Sequence, residues 1–220
     1  EKNEDRKFPK LSDISKYGKH DILASIKVPF YERKGDKNGY LGYQYKHSIR
    51  YTFSYSDYVK IGLTGAQDAG EPFFAGRNSM GYDHYSFYLS LRKMGRIKSL
   101  VVGRYKVKMG MGLVINNNIG LGKLTSLSSL GRQSNYIGGY SSRSDANYLQ
   151  GAAITVSLPA NMELTAFASY REIDATLNKD DGSIATILKT GYHRTPTEME
   201  KKNNSSQSLA GGNLSFDKNG

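Results

Sequence analysis

The chain has 220 residues, of which 38% are hydrophobic, and its mean hydropathy is −0.57. It contains no cysteine, which excludes a disulfide scaffold and a thiolate metal site. The formal net charge is +11, but lysine and arginine occur singly along the chain rather than in one dense basic block. No run of 18 apolar residues predicts a membrane-spanning helix, so insertion into a membrane requires β-strands.

Alternation of apolar and polar side chains predicts strands along most of the chain. In chain order these are Asp21–Phe30, Tyr45–Tyr55, Tyr58–Ala66, Tyr82–Arg92, Ile97–Met111, Tyr148–Leu158, Met162–Arg171, Ile173–Leu177, Ser183–Thr190 and Ser208–Phe216. Most of them reach about nine residues, the length that a tilted membrane strand needs, whereas strands of soluble proteins are usually shorter. The best helical candidate is the short segment Thr197–Lys202.

The connections between these strands alternate between short turns and long loops. Short turns are predicted at Ser56–Asp57, Met94–Gly95–Arg96 and Pro159–Ala160–Asn161. Long loops are predicted at Gln67–Met80, Asn116–Asn147 and Gly191–Gln207. This asymmetry is typical of outer-membrane barrels. We expect one β-barrel domain over residues 1–220, truncated at both ends, with residues 116–147 forming a long loop or a plug within it.

The predicted strand Tyr82–Arg92 has two chemically different faces. One face carries Tyr85, Phe87, Leu89 and Leu91, and the other carries His84, Ser86, Tyr88, Ser90 and Arg92. Such a strand faces two different solvents, which we interpret as lipid and a polar lumen. The predicted fold class is therefore all-β, an antiparallel up-and-down transmembrane β-barrel or partial barrel with about eight to ten readable strands.

The same alternation assigns side chains of neighbouring strands to the two faces. We predict lipid-facing side chains at Tyr51, Phe53, Tyr85, Phe87, Leu89, Leu91, Tyr105 and Val107. We predict a basic lumen lining at Lys46, Arg50, His84, Arg92, Arg104, Lys106 and Lys108. These cations either hydrate the lumen and pair with acidic residues, or they make an electropositive lumen that favours anions.

No motif in the chain predicts a catalytic centre. The segment Gly120–Thr125 lacks the glycine spacing of a phosphate loop and the hydroxyl that follows its lysine. The four histidines, among them His193, lack the paired spacing of a zinc-binding helix. The run Asp180–Gly182 is typical of a turn rather than of a calcium loop. We therefore predict no catalytic residue, no metal and no cofactor, and a protein that is not an enzyme.

The run Tyr105–Leu113 resembles the "DYQLQFGQGL" strand of a family of Bacteroidetes outer-membrane β-barrels, often described as helix-hairpin-helix domain-containing proteins. Further blocks similar to that family follow its order, at Asp68–Phe74, Gly81–Leu89, Asn147–Ala153 and Thr190–Glu198, and extend to Lys202. The resemblance spans most of residues 20–215 and implies a fold and an outer-membrane location, but no reaction. The family's helix-hairpin-helix segment is absent from this chain, and Met111 replaces a glutamine of the family.

These observations favour a non-enzymatic protein of the outer membrane of a Gram-negative bacterium, acting as a pore, a surface anchor or a component associated with transport. The expected partners are outer-membrane lipid and anionic solutes, and the sequence does not indicate which proteins, if any, this chain meets. Two other classes stay open. One is a basic envelope module that binds DNA, suggested by the net charge of +11 and by the family's companion domain. The other is a soluble β-sandwich or barrel that buries its apolar faces against a second sheet.

Overall fold

The structure is a computed structural model that describes residues 8–117, 135–142 and 147–216. The strands are β1 Lys19–Lys27, β2 Lys46–Tyr55, β3 Val59–Gln67, β4 His84–Met94, β5 Ile97–Lys108, β6 Tyr136–Gly139, β7 Leu149–Leu158, β8 Met162–Leu177, β9 Ile184–Leu188 and β10 Ser205–Phe216. The helices are α1 Leu11–Tyr17, α2 Lys34–Lys37 and α3 Pro196–Glu200, and Gly76–Asn78 form a 3-10 turn. Within these ranges, no helix is long and apolar enough to cross a membrane.

All ten strands belong to one antiparallel, up-and-down sheet. Its main path runs β1-β2-β3-β4-β5-β7-β8-β10, while β6 pairs with β5 and β9 pairs with β8. Among the described residues, β1 pairs only with β2 and β10 pairs only with β8, so the sheet is open. The predicted all-β, antiparallel up-and-down fold is confirmed, in the form of an unclosed sheet or partial barrel.

Most strands begin and end within a few residues of the predicted positions, and two differences are informative. Strand β8 is continuous over 16 residues, whereas the sequence pattern broke it between Arg171 and Ile173. Strand β6 lies inside the predicted loop or plug 116–147 and was missed, because four residues with two glycines show no readable alternation. Residues 118–134 and 143–146 of that predicted loop lie outside the described residues.

The three predicted short turns connect β2 to β3, β4 to β5, and β7 to β8. Each uses backbone with positive φ, as tight hairpins require. Gly95 adopts φ 60° between β4 and β5, and Ala160 and Asn161 adopt φ 60° and 54° between β7 and β8. These three turns lie at one end of the sheet, because the strands that they follow, β2, β4 and β7, run in the same direction. The β3–β4 and β9–β10 loops lie at the other end, together with the short turn between β8 and β9.

The central strands expose their apolar side chains and bury their polar ones. We call the first surface the apolar face, and its exposed fractions are Ile49 44%, Leu63 47%, Tyr85 48%, Phe87 51% and Val102 39%. We call the opposite surface the polar face, and its exposed fractions are Thr64 3%, His84 8%, Ser86 5% and Ser90 6%. The pairing register places Leu63 beside Phe87 and Thr64 beside Ser86, so each face continues across strands. Soluble domains show the opposite arrangement.

Helix α1 covers the end of the apolar face that lies near the short turns. Its Ile14 is buried with Phe53 and Val59, and Leu89 and Leu91 pack against this cluster. Leu11 and Tyr17 of the same helix remain exposed. One side of α1 therefore packs on the sheet while the other side presents further apolar area.

A second buried cluster surrounds the outer half of β5. This strand pairs with β4 as far as Gly103, which adopts φ 98°, and then pairs with β6 from Tyr105 to Lys108. The cluster consists of Val101, Tyr105, Val107, Ile137, Leu149, Ala153 and Phe167. The hydroxyl of Tyr105 donates to the carbonyl of Ala168 at 2.8 Å. This half of β5 is therefore buried on the side that the sequence pattern assigned to lipid.

Candidate functional site

A cavity of about 940 Å³ lies beside the polar ends of β4, β5, β7 and β8, under two of the long loops. Its lining combines two groups of charged side chains. The loop cluster consists of Asn78, Asp83, Asp174, His193 and Lys202, which line the cavity, together with Glu71, which does not line it but hydrogen-bonds to His193. The arginine–tyrosine group consists of Arg104, Tyr148 and Arg171.

His193 lies at the centre of the loop cluster, between two carboxylates. Its Nδ1 is 2.5 Å from Oδ2 of Asp83, and its Nε2 is 2.8 Å from Oδ2 of Asp174. The Nζ of Lys202 donates to Oδ1 of Asp83 at 2.9 Å and to Oδ1 of Asn78 at 2.8 Å. The side chains of His193 and Asp83 are only 5% and 3% exposed, so their charges need each other as partners.

Short local structures hold these groups in place. Thr195 caps helix α3 by accepting a hydrogen bond from the backbone NH of Glu198, and Pro196 occupies the first turn. This helix begins three residues after His193 and ends two residues before Lys202. A capped single turn therefore sets the spacing between the two cations of the cluster.

Glu71 closes the loop cluster on its other side. Its carboxylate accepts the backbone NH of His193 at 2.9 Å and the backbone NH of Asp68 at 2.7 Å. Lys46, at the start of β2, forms an ion pair with Asp68. Glu71 thus joins the β3–β4 loop to the loop between β9 and β10.

Burial and pairing shift the pKa values of the cluster. Burial opposes the charge of His193, but the hydrogen bonds that the ring donates to Asp174 and Asp83 outweigh it and raise the pKa of His193 to about 9. Burial, with the nearby charge of Asp83, raises the pKa of Glu71 to about 7. Burial also opposes the charge of Asp83, yet His193 and Lys202 keep the pKa of Asp83 below its ordinary value. At neutral pH the cluster therefore contains an imidazolium held between two carboxylates.

Within the described part of the chain, Glu71, Asp83 and His193 bring one potential metal ligand each to within 4.8 Å of one another. The geometry does not suit a metal. Both ring nitrogens of His193 already hydrogen-bond to carboxylates, and a metal-bound imidazole needs one of them free. The ammonium group of Lys202 also forms an ion pair with the Asp83 carboxylate that a metal would need as a ligand. These residues therefore form an ion-pair network.

The arginine–tyrosine group lies on the other side of the cavity. The guanidinium carbon of Arg104 is 4.1 Å from the centroid of the Tyr148 ring, and that of Arg171 is 4.9 Å from it. Arg171 donates to the side-chain oxygen of Gln207 at 2.9 Å and to the carbonyl of Tyr148 at 3.1 Å. Two cations therefore share one aromatic ring.

Two of the seven residues predicted to line a basic lumen, His84 and Arg104, line the cavity. Lys46 instead pairs with Asp68, and Lys106 lies 4.5 Å from the centroid of the Tyr140 ring. The remaining three, Arg50, Arg92 and Lys108, are half-buried at separate places along β2, β4 and β5. The structure thus distributes the predicted basic set over several environments.

The residues predicted to face lipid divide into three groups. Tyr85 and Phe87 are exposed on the apolar face, and Tyr51 is half-buried there. Phe53, Leu89 and Leu91 belong to or pack against the cluster that α1 covers, so the expectation of an uncovered Phe53 is wrong. The prediction is also wrong for Tyr105 and Val107, which are completely buried, because Val101 pairs with Ser90 and the odd-numbered residues of β5 therefore lie on the same side of the sheet as the polar face.

Most of the residues that line the cavity are not predicted by the sequence pattern. His193 was read as an isolated histidine, although its partners Asp83 and Asp174 lie 110 and 19 residues away. Tyr148 and Arg171 lie at one end of β7 and within β8, where alternation reports a face but not a neighbour. A usable signal was the concentration of charge and turn residues in 190–204.

Comparison with models of protein families, with curated proteins and with solved structures gave no match for this chain. The resemblance of Tyr105–Leu113 to an outer-membrane family therefore stays a prediction. The protein is an all-β, antiparallel open sheet whose apolar face is exposed and whose polar face borders a charged cavity.

Proposed function

We propose that this chain is a non-enzymatic outer-membrane β-barrel protein that turns its apolar face to lipid and holds a basic, solute-accessible cavity on its polar side. The observation that carries the proposal is the inverted polarity of the central strands. Leu63 on β3 and Phe87 on β4 pair with each other and are about half exposed. Their neighbours along the chain, Thr64 and Ser86, also pair with each other and are buried. In water this arrangement is unfavourable, because apolar area of this kind gains about 25 cal/mol per Å² when it leaves water.

Monomeric soluble proteins rarely expose one large contiguous apolar patch. Here the exposed apolar side chains continue from strand to strand, and they recur beyond the central strands at Ile22, Ile26, Leu164, Tyr170 and Leu214. Register places Ile22 beside Tyr51, and Leu164 beside Leu214. A lipid environment removes the cost of this surface along the whole sheet.

Aromatic rings at both ends of β2–β4 give independent support. Near the long loops, a chain of rings with neighbouring centroids 4.8–5.9 Å apart joins Tyr43, Tyr45, His47, Phe73, Tyr82 and Tyr85. Near the short turns, Tyr58 packs with Phe8 at 6.0 Å and with Tyr55 at 6.4 Å. Aromatic girdles at both interfaces are a regular feature of membrane barrels.

The separation of the two aromatic groups agrees with a membrane. From His47 to Tyr55 the strand rises about 27 Å at ~3.4 Å per residue. A tilt of about 40° reduces this to roughly 20 Å along a barrel axis, comparable with the apolar band of about 25 Å in known barrels. The ends of the apolar face therefore match the expected positions of the lipid headgroups.

A matched pair of valine substitutions tests the proposal. Val102 lies on the apolar face of β5, whereas Val114 is 98% exposed in the segment that follows β5. For protein folded into phospholipid vesicles, Val102→Arg should lower the free energy of unfolding by about 2–4 kcal/mol, because it places a charge in the hydrocarbon region. Val114→Arg should change it by less than about 0.5 kcal/mol.

The same measurement distinguishes the proposed membrane protein from a soluble β-sheet protein. If the wild-type chain is folded and monomeric in water without detergent, and Val102→Arg is as harmless as Val114→Arg, the apolar face does not meet lipid. The proposal is then wrong, and a soluble β-sheet protein that covers this face in another way becomes the better account.

A further inference from the structure

The end of the sheet that carries the β2–β3, β4–β5 and β7–β8 turns has more cations than carboxylates. We call it the basic end, and it comprises α1 with its N-cap, these three turns, and the strand residues at or beyond the level of the Lys19–Ser54 pair. Its carboxylates are Asp13, Asp57 and Glu163. Its cations are Lys10, Lys16, Lys19, Lys60, Arg92, Lys93, Arg96 and Lys98. Eight cations against three carboxylates leave an excess of five positive charges, out of a net charge of +11 for the whole chain.

Two of the three carboxylates at the basic end are already paired. Asp57 Oδ2 lies 3.6 Å from Nζ of Lys93, and Glu163 forms an ion pair with Lys98. In the part of the chain that the structure describes, no ion pair involves the exposed cations Lys10, Lys16, Lys19, Lys60 and Arg96. By sequence, residues 1–7 and 217–220 each contain as many acidic as basic side chains, so they add no net charge.

Exposed apolar and aromatic side chains lie among these cations. Leu11 of α1 is 82% exposed and Tyr17 is 64% exposed, although Ile14 of the same helix packs on the sheet. The Nζ of Lys16 lies 5.4 Å from the centroid of the Tyr17 ring. Apolar side chains bordered by lysine are typical of segments that lie where hydrocarbon meets lipid headgroups, because the lysine stem is apolar and its tip is charged.

The aromatic group near the β2–β3 turn shows the same combination. The ring of Tyr58 packs edge-on against Phe8 at 6.0 Å, and the Nζ of Lys93 lies 5.8 Å from the Tyr58 centroid. Tyrosine rings prefer the headgroup level of a membrane, and lysines at that level reach the phosphates.

The opposite end of the sheet differs because its buried charges neutralise one another. There His193 pairs with both Asp83 and Asp174, and Lys202 pairs with Asp83. The basic end has no such internal arrangement among the described residues, so its excess charge is available to an external partner.

We propose that the basic end is a docking surface for the headgroups of anionic phospholipids, with its lysines and Arg96 at the phosphates and with Leu11 and Tyr17 at the edge of the hydrocarbon. Each lysine or arginine held near an anionic membrane surface adds to the attraction. Duplex DNA would neutralise the same cations but would leave Leu11 and Tyr17 in water, so lipid fits this surface better. The inference rests on the proposed function for the position of the apolar face, and it adds which lipids are bound and at which end of the sheet.

The variant Tyr17→Trp provides a reporter at this surface, because the chain has no tryptophan of its own. The protein is folded into phosphatidylcholine vesicles that contain about one-fifth phosphatidylglycerol. In one preparation only the phosphatidylglycerol carries bromine on its acyl chains, and in the other an equal amount of phosphatidylcholine carries it. Bromine quenches tryptophan on contact, so the ratio of the two quenching values reports the composition of the lipid beside α1.

We expect the brominated phosphatidylglycerol to quench about two-fold more strongly than the equal amount of brominated phosphatidylcholine at low salt. Salt at about 0.5 M should remove most of this preference, because it screens exposed charges.

Removing two cations beside the reporter tests the role of their charge. Lys16→Gln combined with Lys19→Gln should bring the two quenching values close to equality. Lys34→Gln combined with Lys189→Gln is the matched control, because it removes the same charge from exposed positions at the opposite end of the sheet. The control should keep the preference for phosphatidylglycerol.

If the first combination does not fold, as judged by far-UV circular dichroism, Lys60→Gln combined with Arg96→Gln replaces it and should also weaken the preference. Both side chains are exposed at the basic end. The salt series needs no substitution beyond the reporter and gives the same readout.

Two results would overturn the docking surface: equal quenching by the two lipids at low salt, or a preference that the control pair removes as well. Equal quenching leaves the proposed membrane location intact and removes only the choice of lipid. Quenching by neither lipid also removes the surface, and the valine pair then decides independently whether the apolar face meets lipid. Quenching by neither lipid, together with a fluorescence change on addition of duplex DNA, would assign the basic end to nucleic acid.

Discussion

The apolar face of β3–β5 leaves large hydrophobic side chains exposed, whereas the loop cluster buries charged ones. Phe87 is about half exposed, while His193 and Asp83 are almost completely buried. In water alone, both arrangements are unfavourable. The exposed apolar side chains can be stabilised only by what surrounds the protein. The buried charged side chains are stabilised by their pairing with one another.

The difference teaches where each part of the molecule obtains its stability. The loop cluster is self-sufficient, because His193 and Lys202 are paired with the carboxylates of Asp83 and Asp174 through short hydrogen bonds. The apolar face has no comparable partner within the described residues, apart from the end that α1 covers. Under the proposed function its stability depends on lipid, while the cluster should behave alike in any solvent that keeps the sheet folded.

The largest expected effect comes from breaking the loop cluster. Asp83→Ala removes one carboxylate from His193 and the carboxylate that binds Lys202, and it leaves both cations buried without that partner. We expect the free energy of unfolding to fall by about 3–5 kcal/mol. Guanidinium unfolding of the protein in detergent micelles, followed by circular dichroism, measures this loss.

Asp180→Ala serves as the control, because Asp180 is an exposed carboxylate in the turn between β8 and β9. It should change stability by less than about 0.5 kcal/mol. A loss below about 1 kcal/mol for Asp83→Ala would show that the cluster is not a stabilising unit, and the contrast with the apolar face would then disappear.

A smaller effect is expected from pH, and its sign follows from the raised pKa values. His193 holds its proton more tightly in the folded state, so its contribution is complete below its ordinary pKa of 6.5 and is lost as pH rises through about 9. Glu71 also retains its proton in the folded state, so stability decreases further between its ordinary pKa of 4.5 and about 7. Loss of the His193 contribution should lower the free energy of unfolding by about 3 kcal/mol between pH 6 and pH 9.5.

His193→Gln should flatten this decline above pH 7, whereas His20→Gln should not, because His20 is exposed on β1. Unfolding curves at several pH values between 6 and 9.5 provide the measurement. Stability that rises with pH over this range would contradict the assignment of His193 as a buried cation.

Features that depend on residues close together in the sequence can be predicted from it. Features that depend on pairing between distant segments cannot. Alternation within ten residues predicted the strands, the short turns and the exposed positions of Tyr85 and Phe87. It failed at Tyr105, because the register that pairs Val101 with Ser90 turns Tyr105 to the side of the polar face, and because that half of β5 pairs with β6. A local pattern has no information about such a change of partner.

The cavity cannot be predicted from local sequence patterns either, because its residues come from segments that are far apart in the sequence. Asp83 and His193 meet across 110 residues, and Arg104 and Arg171 meet on Tyr148 only because β5, β7 and β8 are neighbours. Strand order fixes these contacts, and side-chain alternation does not specify strand order by itself. The sequence therefore predicts that basic side chains share one face of the strands. It does not predict which of them contact one another, because those contacts depend on the pairing register.

The central claim, that the apolar face meets lipid, is tested most directly by two single-tryptophan variants, because the chain has no tryptophan of its own. Phe87→Trp reports from the apolar face, and Tyr88→Trp reports from the adjacent residue on the other side of β4. Both are measured in vesicles whose acyl chains carry bromine, which quenches tryptophan fluorescence on contact. We predict strong quenching at position 87 and little at position 88. Equal quenching at the two positions, or quenching at position 88 alone, would contradict the account.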